Sequence, residues 1–69
     1  MTRADRAEIR WDSEKKRWLI RIQVGEEVIR RPAPGAPHDA GEDILRSAAV
    51  KTAEDDGYQI EPATVTVVR

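Results

Sequence analysis

The 69-residue chain contains no cysteine, no phenylalanine, one histidine and three aromatic residues, Trp11, Trp18 and Tyr58. Without cysteine there is neither a disulfide nor a thiolate metal site, and a lone imidazole leaves a zinc centre short of ligands. No apolar run approaches the roughly 20 residues of a membrane-spanning helix. The start, Met1 to Ala7, carries Arg3 and Arg6 with no apolar stretch behind them, so no secretory signal and no membrane association are expected. The four glycines, Gly25, Gly35, Gly41 and Gly57, stand singly, which excludes a glycine-rich phosphate loop. These absences together predict no cofactor. They leave a reducing cytoplasm as the default location, and nine arginines against three lysines fit the codon bias of a bacterium rich in GC.

What is present is 27 apolar and 25 charged residues. A domain this short buries only about 60% of the surface its unfolded chain exposes, so one domain with one thin core is expected and a deep substrate cavity is not. Domains of this size are usually reinforced by disulfides, a metal or a second subunit. With the first two excluded, self-association is the expected reinforcement.

Apolar residues alternate through Ala7, Ile9 and Trp11, and again through Trp18, Ile20, Ile22 and Val24, the period of two of strands with one buried face. A four-residue loop over Ser13, Glu14, Lys15 and Lys16 pairs Trp11 with Trp18, Ile9 with Ile20 and Ala7 with Ile22. The same register sets Asp12 opposite Arg17 and Glu8 opposite Arg21 on the other face, two opposite-charge pairs. A slip by one residue puts both tryptophans opposite charges, so the register is well specified. Gly25 and Glu26 fit a type II′ turn. A third strand over residues 27–31 follows, ending at Pro32 as a protected edge.

The segment from Pro32 to His38 holds three prolines and reads as an extended, exposed connecting loop. A helix over about residues 40–56 follows, with Asp39 as N-cap and Glu42 completing a capping box. Its buried stripe is read as Ile44, Leu45, Ala48, Ala49 and Thr52, with Val50 pointing away, and Gly57 is the expected stop. Asp55 and Asp56 oppose the helix dipole. A β-branched, alternating run over residues 63–68 gives a fourth strand. The predicted fold is therefore α+β: β-β-β-α-β, one helix packed on a mainly antiparallel four-stranded sheet. Counting these four strands along the chain, the expected order is 3-2-1-4, with the last strand parallel to the first.

Few residues suggest chemistry. His38 beside Asp39 and Glu42 has the makings of an oriented base, but the hydroxyls Ser13 and Ser47 come without an oxyanion donor set, so no catalytic residue is assigned. The acidic clusters Glu42-Asp43 and Glu54-Asp55-Asp56 lack the ligand spacing of a calcium loop, and no metal is assigned. The charges do segregate. Met1 to Arg31 holds nine basic and six acidic residues, whereas Pro32 to Glu61 holds two basic and seven acidic. The register places Arg10, Arg17, Arg21 and Arg30 on one sheet face with Leu19, Gln23 and Val28.

The run Arg17-Trp18-Leu19-Ile20-Arg21-Ile22-Gln23-Val24-Gly25 resembles the basic, tryptophan-bearing strand and glycine turn of the arm-binding domain of tyrosine recombinases. In that family the helix directly follows the third strand, whereas here a proline segment intervenes. The β-β-β-α-β order and small size are also similar to antitoxins of the HicB type, although Pro34-Gly35-Ala36 lacks the cysteine of their usual segment. Neither resemblance transfers a functional residue.

The sequence thus predicts a small non-enzymatic module that acts through protein contact or as a homodimer. Its expected partner surface is Arg10, Leu19, Arg21, Val28 and Arg30, a mixture of arginine and apolar side chains suited to an interface. Nucleic-acid binding by the same arginines is the alternative.

Overall fold

The computed structural model describes residues 2–33 and 36–68. Among these residues the chain forms six strands and one α-helix: β1 (Thr2–Arg3), β2 (Arg6–Asp12), β3 (Arg17–Val24), β4 (Glu27–Ala33), α1 (Glu42–Asp55), β5 (Tyr58–Gln59) and β6 (Val65–Val68). The main sheet has the order β4-β3-β2-β6, antiparallel except for the parallel pair β2 and β6. This is the expected α+β arrangement, with one helix covering one face of four strands.

Both hairpin registers are those the alternation dictates. Trp11 faces Trp18, Ile9 faces Ile20 and Ala7 faces Ile22, and Ile22 in turn faces Ile29. At the second turn Gly25 has φ 60° and Glu26 has no positive φ, the pattern of a type II′ turn. In the first loop Lys16 takes the left-handed conformation at φ 53°.

The inward side chains Ile9, Trp18, Ile20 and Ile22 are fully buried against Leu45, Ala49 and Ala53 of the helix. One leucine and two alanines four apart make a narrow stripe, and the alanines let the helix lie close to the sheet. Val65 and Ile60 close the core on the β6 side.

Several local expectations are corrected. The helix starts at Glu42 with Gly41 as N-cap, and no side chain caps it. Asp39 instead sits in a turn closed by the Ala40 N–H donating to the Pro37 carbonyl over 3.1 Å. That turn buries Ala40 and delays the helix. Ile44 is 60% exposed, because the helix is rotated to centre on Leu45, Ala49 and Ala53. The same rotation brings Val50 down against the core rather than away from it.

The third predicted strand does not stop at Pro32. It continues to Ala33, with Pro32 opposite Leu19 and Ala33 opposite Trp18. Counted from the two-residue turn, Pro32 falls in a non-hydrogen-bonded pair, where the N–H it lacks would have pointed off the sheet edge. The last strand begins at Val65 rather than 63, after a 3₁₀ turn over Pro62–Thr64. Within the proline loop Pro37 is exposed and Ala36 partly buried, and positions 34 and 35 lie outside the described residues.

One element has no precursor in the sequence reading. β1 pairs in parallel with β5, matching Thr2 to Tyr58 and Arg3 to Gln59. The Ala4 N–H also donates to the Gln59 carbonyl, so the first residues are tied to the chain that leaves the helix.

Candidate interaction face

Since the helix covers one side of the sheet, the other side is built from the alternate residues of each strand. On β2 these are Arg6, Glu8, Arg10 and Asp12, and on β3 they are Arg17, Leu19, Arg21 and Gln23. β4 adds Val28, Arg30 and Pro32, and β6 adds Thr66 and Val68. All five expected surface residues therefore share one face. Arg10 stands opposite Leu19, Arg21 opposite Arg30, and Val28 opposite Gln23.

The electrostatics differ from the expected cross-strand pairing. Asp12 is opposite Arg17 in register, but its carboxylate accepts from the backbone N–H groups of Glu14 at 3.1 Å and Lys15 at 3.3 Å. The loop's own donors lie two and three residues along the chain and capture it first, as in an Asx turn. Glu8, opposite Arg21, forms its ion pair along its own strand with Arg10, at 3.8 Å. Among the described residues no carboxylate lies within ion-pair distance of Arg17, Arg21 or Arg30.

Arg21 and Arg30 also form a like-charge pair across neighbouring strands, which weakens the sheet locally. Nε of Arg17 and Nε of Arg21 are covered from solvent without a hydrogen-bond partner, as is Oε1 of Glu8. Glu8 Oε1 still has the Arg10 guanidinium at 3.8 Å, whereas a buried N–H left without an acceptor costs roughly 1–3 kcal/mol. The guanidinium stems are packed down on the sheet, and only their terminal nitrogens are left to meet a partner. Arg6 is engaged otherwise, donating from Nε to Gln23 Oε1 at 2.9 Å.

Two open depressions shape the face. One of about 310 Å³ is lined by Arg6, Glu8, Arg21, Gln23, Val28 and Thr66, where the short Val28 and Thr66 flank longer side chains. The other, about 260 Å³, lies at the far end between Arg10, Asp12, Glu14 and Leu19. Leu19 and Arg21 separate them. Val28 is 42% exposed, an apolar point at the rim of the larger one.

The residues weighed for catalysis lie elsewhere. His38 stacks on Trp11 with ring centroids 4.3 Å apart, and Trp11 meets Trp18 edge to face at 5.4 Å. The imidazole thus covers Trp11, with Trp18 6.2 Å away. Ser13 is in the first hairpin loop and Ser47 on the exposed side of the helix. Among the described residues no three of His, Asp and Glu come together as a metal cluster, and no helix is long and apolar enough to cross a membrane.

Sequence reasoning placed the face but missed the diversion of Asp12. The signal was available in Asp12 followed directly by the loop residues whose N–H groups it accepts. Comparison with known proteins finds no matching family model, no matching curated protein and no matching solved structure.

Proposed function

We propose that this domain is a non-enzymatic binding module that holds an acidic segment of a protein partner on the uncovered face of its sheet. The observation that carries the reading is that, among the described residues, Arg17, Arg21 and Arg30 have no carboxylate partner, on a face where Leu19, Val28, Pro32 and Val68 supply apolar contact. Five arginines against two carboxylates give the face an excess of positive charge, while the helix layer behind it is acidic. An acidic chain with interspersed apolar side chains complements both properties.

Two other occupants fit less well. Face-to-face stacking of two copies sets arginines against arginines, a like-charge juxtaposition that disfavours this route to a homodimer. Nucleic acid is served by the arginines, but Trp11, the aromatic residue lining the smaller depression, is stacked on His38, and Glu8 lines the larger one.

The test is a pooled library of acidic peptides carrying apolar residues, screened against the parent, Leu19→Glu and Arg21→Glu. Ligands of the parent that lose roughly tenfold or more in affinity to each variant are expected. Enrichment indifferent to both substitutions sinks the reading. Tight, salt-sensitive binding of mixed-sequence DNA or RNA, lost in Arg21→Glu, overturns it in favour of nucleic acid.

A further inference from the structure

The uncovered face has an order along its strands as well as a charge. β3 and β4 present it in rows two residues apart: Gln23 with Val28, Arg21 with Arg30, Leu19 with Pro32, and then Arg17. Neutral rows that offer apolar contact alternate with basic ones. On the β2 side, Glu8 stands beside Arg21 and Asp12 beside Arg17. These carboxylates repel an acidic ligand from β2 and leave β3 and β4 as its track.

We propose, on the premise that the face holds an acidic partner, that the bound segment is extended and lies along β3 and β4, with apolar and acidic side chains alternating at every second residue. Rows of a sheet are about 6.8 Å apart, and an extended chain advances by the same distance for every two residues, so its face-side residues keep step with all the rows. A helix advances only about 5.4 Å between residues on one side, and over three steps it falls about 4 Å short, so its last contact misses.

The rows differ in what they can take. Arg17 and Arg21 are half-buried with Nε covered from solvent, so their stems are set in the sheet and their terminal nitrogens meet the ligand's acids from fixed places. Leu19 and Pro32 offer no side-chain donor, and Arg10 beside Leu19 is already paired with Glu8. An acid placed over that row gives up water without gaining a partner. Val28 borders the larger depression, which receives the other apolar side chain.

The experiment is fluorescence anisotropy with labelled peptides of about nine residues, long enough to span the rows when extended. Leucine and glutamate alternate at every second position with serine between, and leucine stands at both ends and at the centre. In either chain direction, all the rows are filled only when the central leucine lies over Leu19 and Pro32. A peptide of the same composition with its glutamates side by side should bind roughly tenfold or more weakly. The parent should also prefer central leucine to central glutamate, and that preference should fall roughly tenfold or more in Leu19→Arg and in Pro32→Arg. Val28→Arg adds the same charge one row beyond Arg21 and Arg30 and should leave the preference at the parent's value. Leu19 is half-buried on this face and Pro32 is exposed, so the two arginine variants test the same row from unlike positions. Equal binding of spaced and grouped peptides, a parent that prefers central glutamate, or a preference shifted as much by Val28→Arg overturns the proposal and leaves the acidic-partner reading standing. Failure of every acidic peptide to bind, or binding indifferent to Arg21→Glu, overturns both.

Discussion

The indole N–H of Trp18 donates to the backbone carbonyl of Pro37 over 2.9 Å, joining the centre of the sheet to the segment that precedes the helix. Trp18 is fully buried, and a buried indole N–H must find an acceptor. The same carbonyl accepts from Ala40, so one oxygen holds both the tryptophan and the turn that sets the helix start.

Trp18→Phe keeps an aromatic ring in the core but removes this donor and some volume. The expected loss is about 1–3 kcal/mol, read as a lower urea midpoint at unchanged slope. His38→Ala, which uncovers Trp11 without touching this bond, should cost less, about 0.5–1.5 kcal/mol. If Trp18→Phe unfolds at the parent's midpoint, the Pro37 contact contributes nothing to stability.

Arg31 lies on the helix side of the edge strand, and its Nε meets Asp56 at 2.9 Å, at the C-cap of the helix. An acid at a helix C-terminus opposes the dipole, and this arginine offsets it. Both side chains are partly exposed, so the pair is worth about 0.5 kcal/mol after screening. A double-mutant cycle of Arg31→Ala and Asp56→Ala should show coupling of that order, shrinking in roughly 1 M salt. Arg31→Ala alone is expected to destabilise more than the double variant, since it leaves Asp56 unopposed. Strict additivity of the two would show that the contact is energetically silent.

Adjacent residues at the start of the helix separate two readings of its buried stripe. Leu45 is fully buried and Ile44 is 60% exposed. Leu45→Ala should therefore cost about 2–5 kcal/mol, while Ile44→Glu should fall within about 0.5 kcal/mol of the parent. Thermal unfolding of the two variants decides it. A large loss from Ile44→Glu would restore the stripe that the helical spacing alone suggests.

The candidate face was legible because its residues come from the strongest pattern in the chain. Arg10, Leu19 and Arg21 alternate with buried neighbours, and Val28 and Arg30 flank the half-buried Ile29, so fixing the inner side of two hairpins fixes the outer side as well. The pairing of charges on that face was only partly legible. An Asp directly before a turn signals capture by the loop's own N–H groups, but a guanidinium across the strand competes for the same carboxylate, and the coordinates decide for the loop.

The sequence by itself determined the hairpin registers, the type II′ turn at Gly25, the order of the main sheet and the helix on one side of it. Period-two alternation, seen along β2 and β3, and the glycine conformation of the second turn are local properties. Tertiary structure alone decided the pairing of β1 with β5, the delayed start and rotation of the helix, the passage of β4 through Pro32 and the clasp between Arg31 and Asp56. Two-residue strands carry no period to detect. The helix's rotation depends on what the sheet presents to it, and a proline is tolerated or not according to which side of the strand its missing N–H faces.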